Sequence, residues 1–368
     1  GAGGDLLPCR HRDLRAALAI GETSLIRKLL LALILVTGMA PSLANAKITS
    51  EEWSAYTDRF VSQEGRVIDD GNGGISHSEG QGYGLLLAYL AGNRADFERI
   101  WSFTERELLL RDDSLAAWKW EPWATPHITD LNNAADGDIL IAYALALAGA
   151  AWHDQRFTRN ARTIARALGR TSVFEHQGEL LLLPGVGGFG PKARRDGPVV
   201  NPSYWVFEAF PVLARIAPET DWMRLSESGK RLIRKTQIGE RRLPAEWVSL
   251  ANAPKSANGF PAMFGYNAIR IPLYLMRALE NDAELLRRLR DGMTGPNGEI
   301  TLIDAVNGKI AAQLDDPGYR IISALASCVV DRVKIPEELR SFRPTVYYPS
   351  TLQLLALSHI REDRPECL

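Results

Sequence analysis

Ser76-His77-Ser78-Glu79-Gly80-Gln81-Gly82-Tyr83-Gly84 is the stretch on which the reading of this chain turns. It follows a glycine-rich turn, Asp70-Gly71-Asn72-Gly73-Gly74, and runs directly into Leu85-Leu86-Leu87-Ala88-Tyr89-Leu90. A serine ahead of an apolar helical run is a start signal. Glu79 therefore falls in the first helical turn, near the positive end of the helix dipole, where a carboxylate is favoured whether or not it does chemistry. The glycines around it remove side-chain bulk and let other groups come close. A carboxyl group displayed at a helix mouth is a candidate for acid–base work. A plain capping carboxylate has the same local sequence, so the rest of the chain has to separate the two.

Upstream, Arg27-Lys28 precede an apolar run, 29–36, which is followed by Pro41-Ser42-Leu43-Ala44-Asn45-Ala46. A basic start, a short apolar core and an Ala-x-Ala end describe a secretory signal peptide cut after Ala46. The run is short for a membrane span. Residues 1 to about 23 precede this pattern and read as upstream sequence. The expectation is a secreted or periplasmic protein with no stable membrane anchor after cleavage, in which residues 47–368 form one domain.

The whole chain has 368 residues, 43 basic and 44 acidic. Without residues 1–46 it carries a net charge of −3. Neither value suits a nucleic-acid binder, which shows a basic patch or stripe. Hydrophobic residues make up 46% of the chain and charged ones 24%, as in an ordinary soluble domain. Beyond Cys9 there are two cysteines. Cys328 lies in the apolar run 321–330 and reads as a buried thiol. Cys367, next to the last residue, reads as mobile, and a bridge between the two stays open.

Downstream, helical periodicity dominates. Trp53, Tyr56 and Phe60 recur at helix spacing in 51–61, and Phe97, Ile100, Trp101 and Leu108 do so in 95–110. Further helical stretches are expected at 133–152, 156–168, 204–216, 222–233, 266–279, 283–289, 302–314, 318–330 and 349–360. A short strand is expected at 179–183. Such a chain predicts an all-α barrel or array. Periodicity alone does not choose between a closed toroid and an open solenoid.

Two further stretches carry side chains suited to a site. Trp118-Lys119-Trp120-Glu121-Pro122-Trp123 places three indoles in six residues. Indoles pack into cores, but they also offer a flat apolar face with a polar tip, which suits the C–H faces and hydroxyl edges of a pyranose ring. Asn132-Asn133-Ala134-Ala135-Asp136-Gly137-Asp138 sets two carboxylates at the start of another helix, where dipole and capping service is the plain alternative.

Ser78–Gly84 resembles the acid-bearing motif of glycoside hydrolase family 8, which holds bacterial endoglucanases, xylanases, chitosanases and lichenases. The Trp118/Trp120 pair recurs there, and five further segments resemble that family in the right order. Asn-x-Ala-x-Asp-Gly-Asp resembles its second hallmark, whose first acid binds the sugar at the cleavage site, a role that falls on Asp136. Asn201-Pro202-Ser203-Tyr204 resembles a groove-wall segment, and Leu243-Pro244-Ala245-Glu246-Trp247 one whose tryptophan lies near the substrate. Phe264-Gly265-Tyr266-Asn267-Ala268-Ile269-Arg270 resembles the segment that usually reads Tyr-Asp-Ala-Ile-Arg, in which the aspartate is the catalytic base. Tyr347-Tyr348 resembles a pair expected to close the barrel.

The resemblance implies an (α/α)6 barrel, a six-hairpin toroid with a substrate groove at one end. It implies no cofactor and an inverting endo-1,4-β-glucanase, similar to the endoglucanases linked to bacterial cellulose synthesis. Glu79 is the expected general acid. Trp118, Trp120, Tyr204, Trp247, Tyr266 and Arg270 are the expected substrate contacts, with Arg270 also able to position a carboxylate. Asn267 is the departure, because an amide cannot accept a proton usefully near neutral pH. Asp136 is then the first substitute base, followed by Asp138, Glu208 and Glu246. The alternatives are a glucan-binding protein without hydrolysis, a relative acting on xylan, chitosan or mixed-linkage glucan, and a helical scaffold for proteins. Partners are read as a β-1,4-glucan and the cellulose-synthesis machinery. No metal-ligand spacing or phosphate-binding glycine loop is visible.

Overall fold

Two kinds of helix alternate along the computed structural model, which describes residues 47–237 and 239–368. One kind is buried on nearly every face and the other on a single stripe. The helices are α1 (Ser50–Phe60), α2 (Ser78–Leu90), α3 (Arg94–Glu107), α4 (Ala135–Ala151), α5 (Gln155–Thr171), α6 (Phe210–Ile216), α7 (Trp222–Lys235), α8 (Ile271–Arg277), α9 (Ala283–Met293), α10 (Pro317–Asp331) and α11 (Tyr347–Asp363). The expected export segment, residues 1–46, lies outside the described residues.

Sequence explains both kinds. In α5, Phe157, Ala161, Ile164, Ala165 and Leu168 form one apolar stripe, and arginines cover the other face. In α4, Ile139-Leu140-Ile141-Ala142-Tyr143-Ala144-Leu145 has no polar face at all, so it is stable only when surrounded. The surrounded helices, together with the short α6, form a ring. α2 packs on α4, α4 on α6, the turn before α6 on α8, α8 on α10, α10 on α11, and α11 on α2 again. Outside it, α3 backs α2, α5 backs α4, α7 backs α6 and α9 backs α10. α1 backs α11, where Tyr56 and Thr351 share a hydrogen bond of 2.8 Å. The remaining outer place holds only a 3-10 turn, Glu337–Leu339. The ring closes, so this is a six-hairpin (α/α)6 toroid rather than a solenoid.

Several stretches differ from expectation. Residues 302–314 are a hairpin rather than a helix. Short strands β1 (Ser76–His77) and β2 (Lys119–Trp120) pair with each other, as do β3 (Val173–His176) and β4 (Glu179–Leu182). β5 (Val199–Val200), β6 (Val248–Ser249) and β7 (Lys255–Ser256) form one sheet. β8 (Met263–Phe264), β9 (Ile300–Asp304) and β10 (Ile310–Leu314) form another. Asn307-Gly308 is the turn signal that outweighs the helical spacing, with Gly308 at φ +69°, a backbone that a side chain would strain. Residues 204–216 become helical only at Phe210, after two 3-10 turns. Cys367 is buried and bonded to Cys328, with Cα atoms 5.7 Å apart. Cys328 is therefore not a free thiol and Cys367 is not mobile: the bridge fastens the last turn to α10.

The inner helices present their N-termini to one end of the ring. Glycines set the closest crossing there. A Cβ on Gly137 of α4 would lie 2.7 Å from the Glu79 backbone nitrogen, and one on Gly82 of α2 would lie 2.5 Å from Leu140 Cβ. Only glycine at both positions allows the first turns of α2 and α4 to touch.

Candidate active site

That crossing brings Glu79 and Asp136 to the floor of one cavity of about 880 Å³. Its lining includes Glu79, Trp118, Asp136, Tyr204, Trp247, Tyr266 and Asn267, all singled out in the sequence. It also includes Asp69, His77, the 313–316 segment, Tyr319 and Tyr348. The first turns of α2, α4, α10 and α11 reach this opening and supply a positive field, which is where carboxylates are favoured.

The acids are held from below. Arg270 is fully buried. Its guanidinium donates to Glu79 Oε2 at 2.7 Å and to Asp136 Oδ2 at 2.6 Å. A buried guanidinium is the residue of choice for such a double clamp, being planar and always charged. Arg270 was expected among the substrate contacts, but it touches no solvent; it positions the two carboxyls. The Glu79 side chain keeps 15% of its surface exposed and Asp136 2%. Of the two, Glu79 opens onto the cavity.

Burial pushes Asp136 up to about 8, and the neighbouring Glu79 charge adds to it. Burial also acts to raise Glu79, but Arg270, His77 and the hydrogen bond with Asp136 outweigh it and bring Glu79 below the usual carboxylate value. Two carboxyls this close titrate as a pair. The pair keeps one proton near neutral pH.

His77 belongs to the frame. Its Nδ1 accepts from Gly80 N at 2.9 Å, capping α2, and its Nε2 lies 3.2 Å from Asp69 Oδ2. Gln81 is buried and ties the helix to the preceding loop, accepting from Val67 N at 2.6 Å. The β1–β2 pairing sets Ser76 opposite Trp120 and His77 opposite Lys119, so the tryptophan loop is laced to the start of α2.

The indoles divide. Trp118 lines the cavity, its Nε1 donating to Asp130 at 2.9 Å. Trp120 does not. It stacks on His127 at 4.1 Å and lies under Arg66 at 4.9 Å, a packed position that corrects its expected substrate contact. Trp123 is 63% exposed beside the Gly73 turn. Trp247 also lines the cavity and stacks with Phe260 (4.4 Å) and Phe189 (5.6 Å). Tyr266 is half exposed, and Tyr204 stands edge-on to Trp247.

Among the substitute bases, Asp138 is fully buried, accepts from Ala116 N (2.8 Å) and Asn133 Nδ2 (2.9 Å), and does not reach the cavity. Glu208 is bound to Arg277 at 2.6 Å in a different cavity. Glu246 sits directly behind Asn267, whose backbone N–H donates to its Oε1 at 2.6 Å. Asp136 lines the cavity but is committed to Arg270.

Sequence reading missed part of the rim. Tyr348 was expected only to close the barrel, yet it lines the cavity and donates to the Tyr266 carbonyl at 3.0 Å. Asp316 caps α10 by accepting from Gly318 N at 2.9 Å. Asp315-Asp316-Pro317 could have been read as a helix start. Nothing local shows that this start faces Glu79.

No group of metal-ligating side chains is found among the described residues. Nor is any helix there long and apolar enough to cross a membrane.

Comparison with known proteins shows what the chain as a whole is similar to. The family model described as glycosyl hydrolases family 8 matches residues 26–304. An endoglucanase of Cellulomonas uda is 37% identical over 225 residues, 61% of this chain and 62% of the relative, so the chain spans less than two thirds of that protein. A probable endoglucanase of Novacetimonas hansenii is 34% identical over 286 residues, 76% of this chain and 81% of the relative. The crystal structure of a family 8 endoglucanase from Klebsiella pneumoniae superposes with a TM-score of 0.75 at 30% identity, covering 85% of this chain and 99% of that one.

Proposed function

The chain belongs to family 8 of the glycosyl hydrolases, and from that premise we propose that it is an exported endo-1,4-β-glucanase acting on cellulose or soluble β-glucan. The observation that carries the reading is the Glu79–Arg270–Asp136 clamp in a cavity lined by Trp118 and Trp247. Aromatic walls suit a chain of pyranose rings, which present apolar faces and hydroxyl edges. A protonated carboxyl group suits the glycosidic oxygen, which leaves only if it is given a proton.

In this reading Glu79, the more exposed member of the pair, donates that proton. Asp136 keeps the pair protonated in the free site and holds the sugar at the cleavage point. A water on the far face of the ring attacks the anomeric carbon as the bond to the leaving oxygen breaks, which inverts the configuration. The Cys328–Cys367 bridge supports export, because such bonds persist in oxidising compartments. Export beside a glucan-synthesis machinery is the partner reading that goes with it.

The test is Glu79→Gln assayed for reducing-end release from carboxymethylcellulose, with NMR of the first-formed anomer on several β-glucans. Loss of hydrolysis by several orders of magnitude, with an α-configured product from wild type, is expected. Near-wild-type turnover in the variant refutes the assignment. Wild-type protein that binds glucan without releasing ends is a binding module instead.

A further inference from the structure

The cavity has an acid in Glu79 but no carboxylate at Asn267, so the attacking water needs another proton acceptor. Of the carboxylates lining the cavity besides Glu79, Asp315 is exposed on the rim and the others are engaged. Asp136 is clamped by Arg270 on the acid's side. Asp69 pairs with His77, and Asp316 caps α10. Glu208 belongs to a second cavity, where Arg277 holds it.

Glu246 is different. It lies just behind the cavity lining, half-buried against the Asn267 corner, and forms no ion pair with any described residue. Its Oε1 accepts the Asn267 N–H at 2.6 Å, and the Asn267 side-chain amide also lies in reach of the carboxylate. A Cβ at residue 265 would fall 2.5 Å from Oε1 and 2.7 Å from Cδ, so the carboxylate fits only because Gly265 has no side chain. Trp247, the next residue along the chain, lines the cavity and stands edge-on to Tyr204, which lines it too. Burial raises its carboxyl above the usual value, against the pull of those N–H donors and Arg270. A raised carboxylate is a better proton acceptor at neutral pH than an ordinary one.

We propose that Glu246 is the general base of this site, with the Asn267 amide and the Tyr204 hydroxyl holding the attacking water over the sugar. This rests on the glucanase reading above. The step balances. The water oxygen bonds to the anomeric carbon and its proton passes to the Glu246 carboxylate. The bond to the leaving oxygen breaks, its electron pair stays on that oxygen, and the Glu79 proton completes the new hydroxyl. Exchange with solvent resets both acids.

Glu246→Gln tests it, because the amide oxygen still accepts the Asn267 N–H while the proton acceptor is gone. The expected result is a turnover loss of roughly 10²–10⁴-fold, with KM and melting temperature unchanged. Sodium azide should restore turnover, yielding the α-glucosyl azide, since azide attacks without a proton to lose. If the variant does not fold, Glu246→Asp takes its place, with turnover at least tenfold down and a shifted acidic limb of the pH profile. Turnover within a fewfold of wild type in either folded variant, or a loss that azide does not restore, overturns the assignment. So does Asn267→Asp if it raises turnover by orders of magnitude, because the site would then lack a base. Loss of turnover with azide rescue in Asp315→Asn, on the exposed rim of the cavity, would move the base to Asp315. Wild-type protein inactive on every β-glucan refutes the glucanase reading instead, a separate outcome.

Discussion

Glu79 is joined to Asp136 through one buried guanidinium, although the two acids sit on different helices of the ring. Arg270 reaches Glu79 across 191 residues of chain and Asp136 across 134. The clamp does two opposing things. It holds two carboxyls at bonding distance from a cation, and it leaves them close enough that both cannot ionise freely.

Replacing Arg270 should therefore damage fold and chemistry together. Arg270→Ala leaves two buried carboxyls without a counter-ion, and breaking such a cluster costs about 3–5 kcal/mol. Arg270→Lys keeps the charge but cannot bond both acids in one plane. Denaturant melts should show a smaller loss for the lysine variant, while its turnover falls nearly as far as that of the alanine variant.

The shared proton sets a pH limit. Hydrolysis needs the pair protonated, so activity should be present below about 8, the value to which burial and Glu79 raise Asp136, and be lost as pH rises through it. In Asp136→Asn the neighbouring negative charge is gone, and Arg270 and His77 act on Glu79 alone. Its proton should leave at lower pH, so the alkaline limb of kcat/KM should move towards acid. A limb that stays in place would separate Asp136 from the proton.

The two neighbouring indoles should behave differently. Trp118→Ala removes a cavity wall and should raise KM for soluble β-glucan about tenfold, near 1.4 kcal/mol of binding, with little change in melting temperature. Trp120→Ala removes a packed ring held between His127 and Arg66. It should lower the melting temperature and leave KM closer to wild type. Kinetics beside calorimetry for both variants checks this.

The crossing of α2 and α4 depends on Gly137. A methyl group there meets the Glu79 backbone at 2.7 Å, and backbone cannot swing aside. Gly137→Ala should push the two first turns apart and reduce turnover at least a hundredfold, even in preparations whose circular dichroism stays helical. Wild-type turnover in the alanine variant would show that the acids tolerate separation.

Reduction of Cys328–Cys367 opens a loop of 39 residues in sequence separation. Loop-closure entropy assigns such a bridge about 4 kcal/mol. Urea melts with and without a reductant, or with Cys367→Ser, should show a loss of that order with activity at low denaturant retained, because the bridge lies away from the cavity.

Much was readable from local pattern. Helix starts such as Asn93, Asp154 and Asp282 are written beside the helices they cap, because capping acts over three residues. Residues 302–314 misled because apolar spacing fitted a helix while Asn307-Gly308 called for a turn, and a hairpin partner in β8 decided it. Trp118 and Trp120 are two residues apart, and local pattern does not separate them. Only the tertiary structure shows that Trp118 lines the cavity while Trp120 packs against His127.

By itself the sequence determined the helical periodicity, the order of the motifs and the choice of Glu79 as the acid candidate, since each depends on neighbours within a turn or two. The tertiary structure alone decided that the ring closes, that Arg270 is buried under two acids, that Asp138 and Glu208 are out of reach and that Glu246 lies against Asn267. Those properties are distances and desolvation between groups far apart along the chain, and burial, which no short stretch encodes, controls proton affinity.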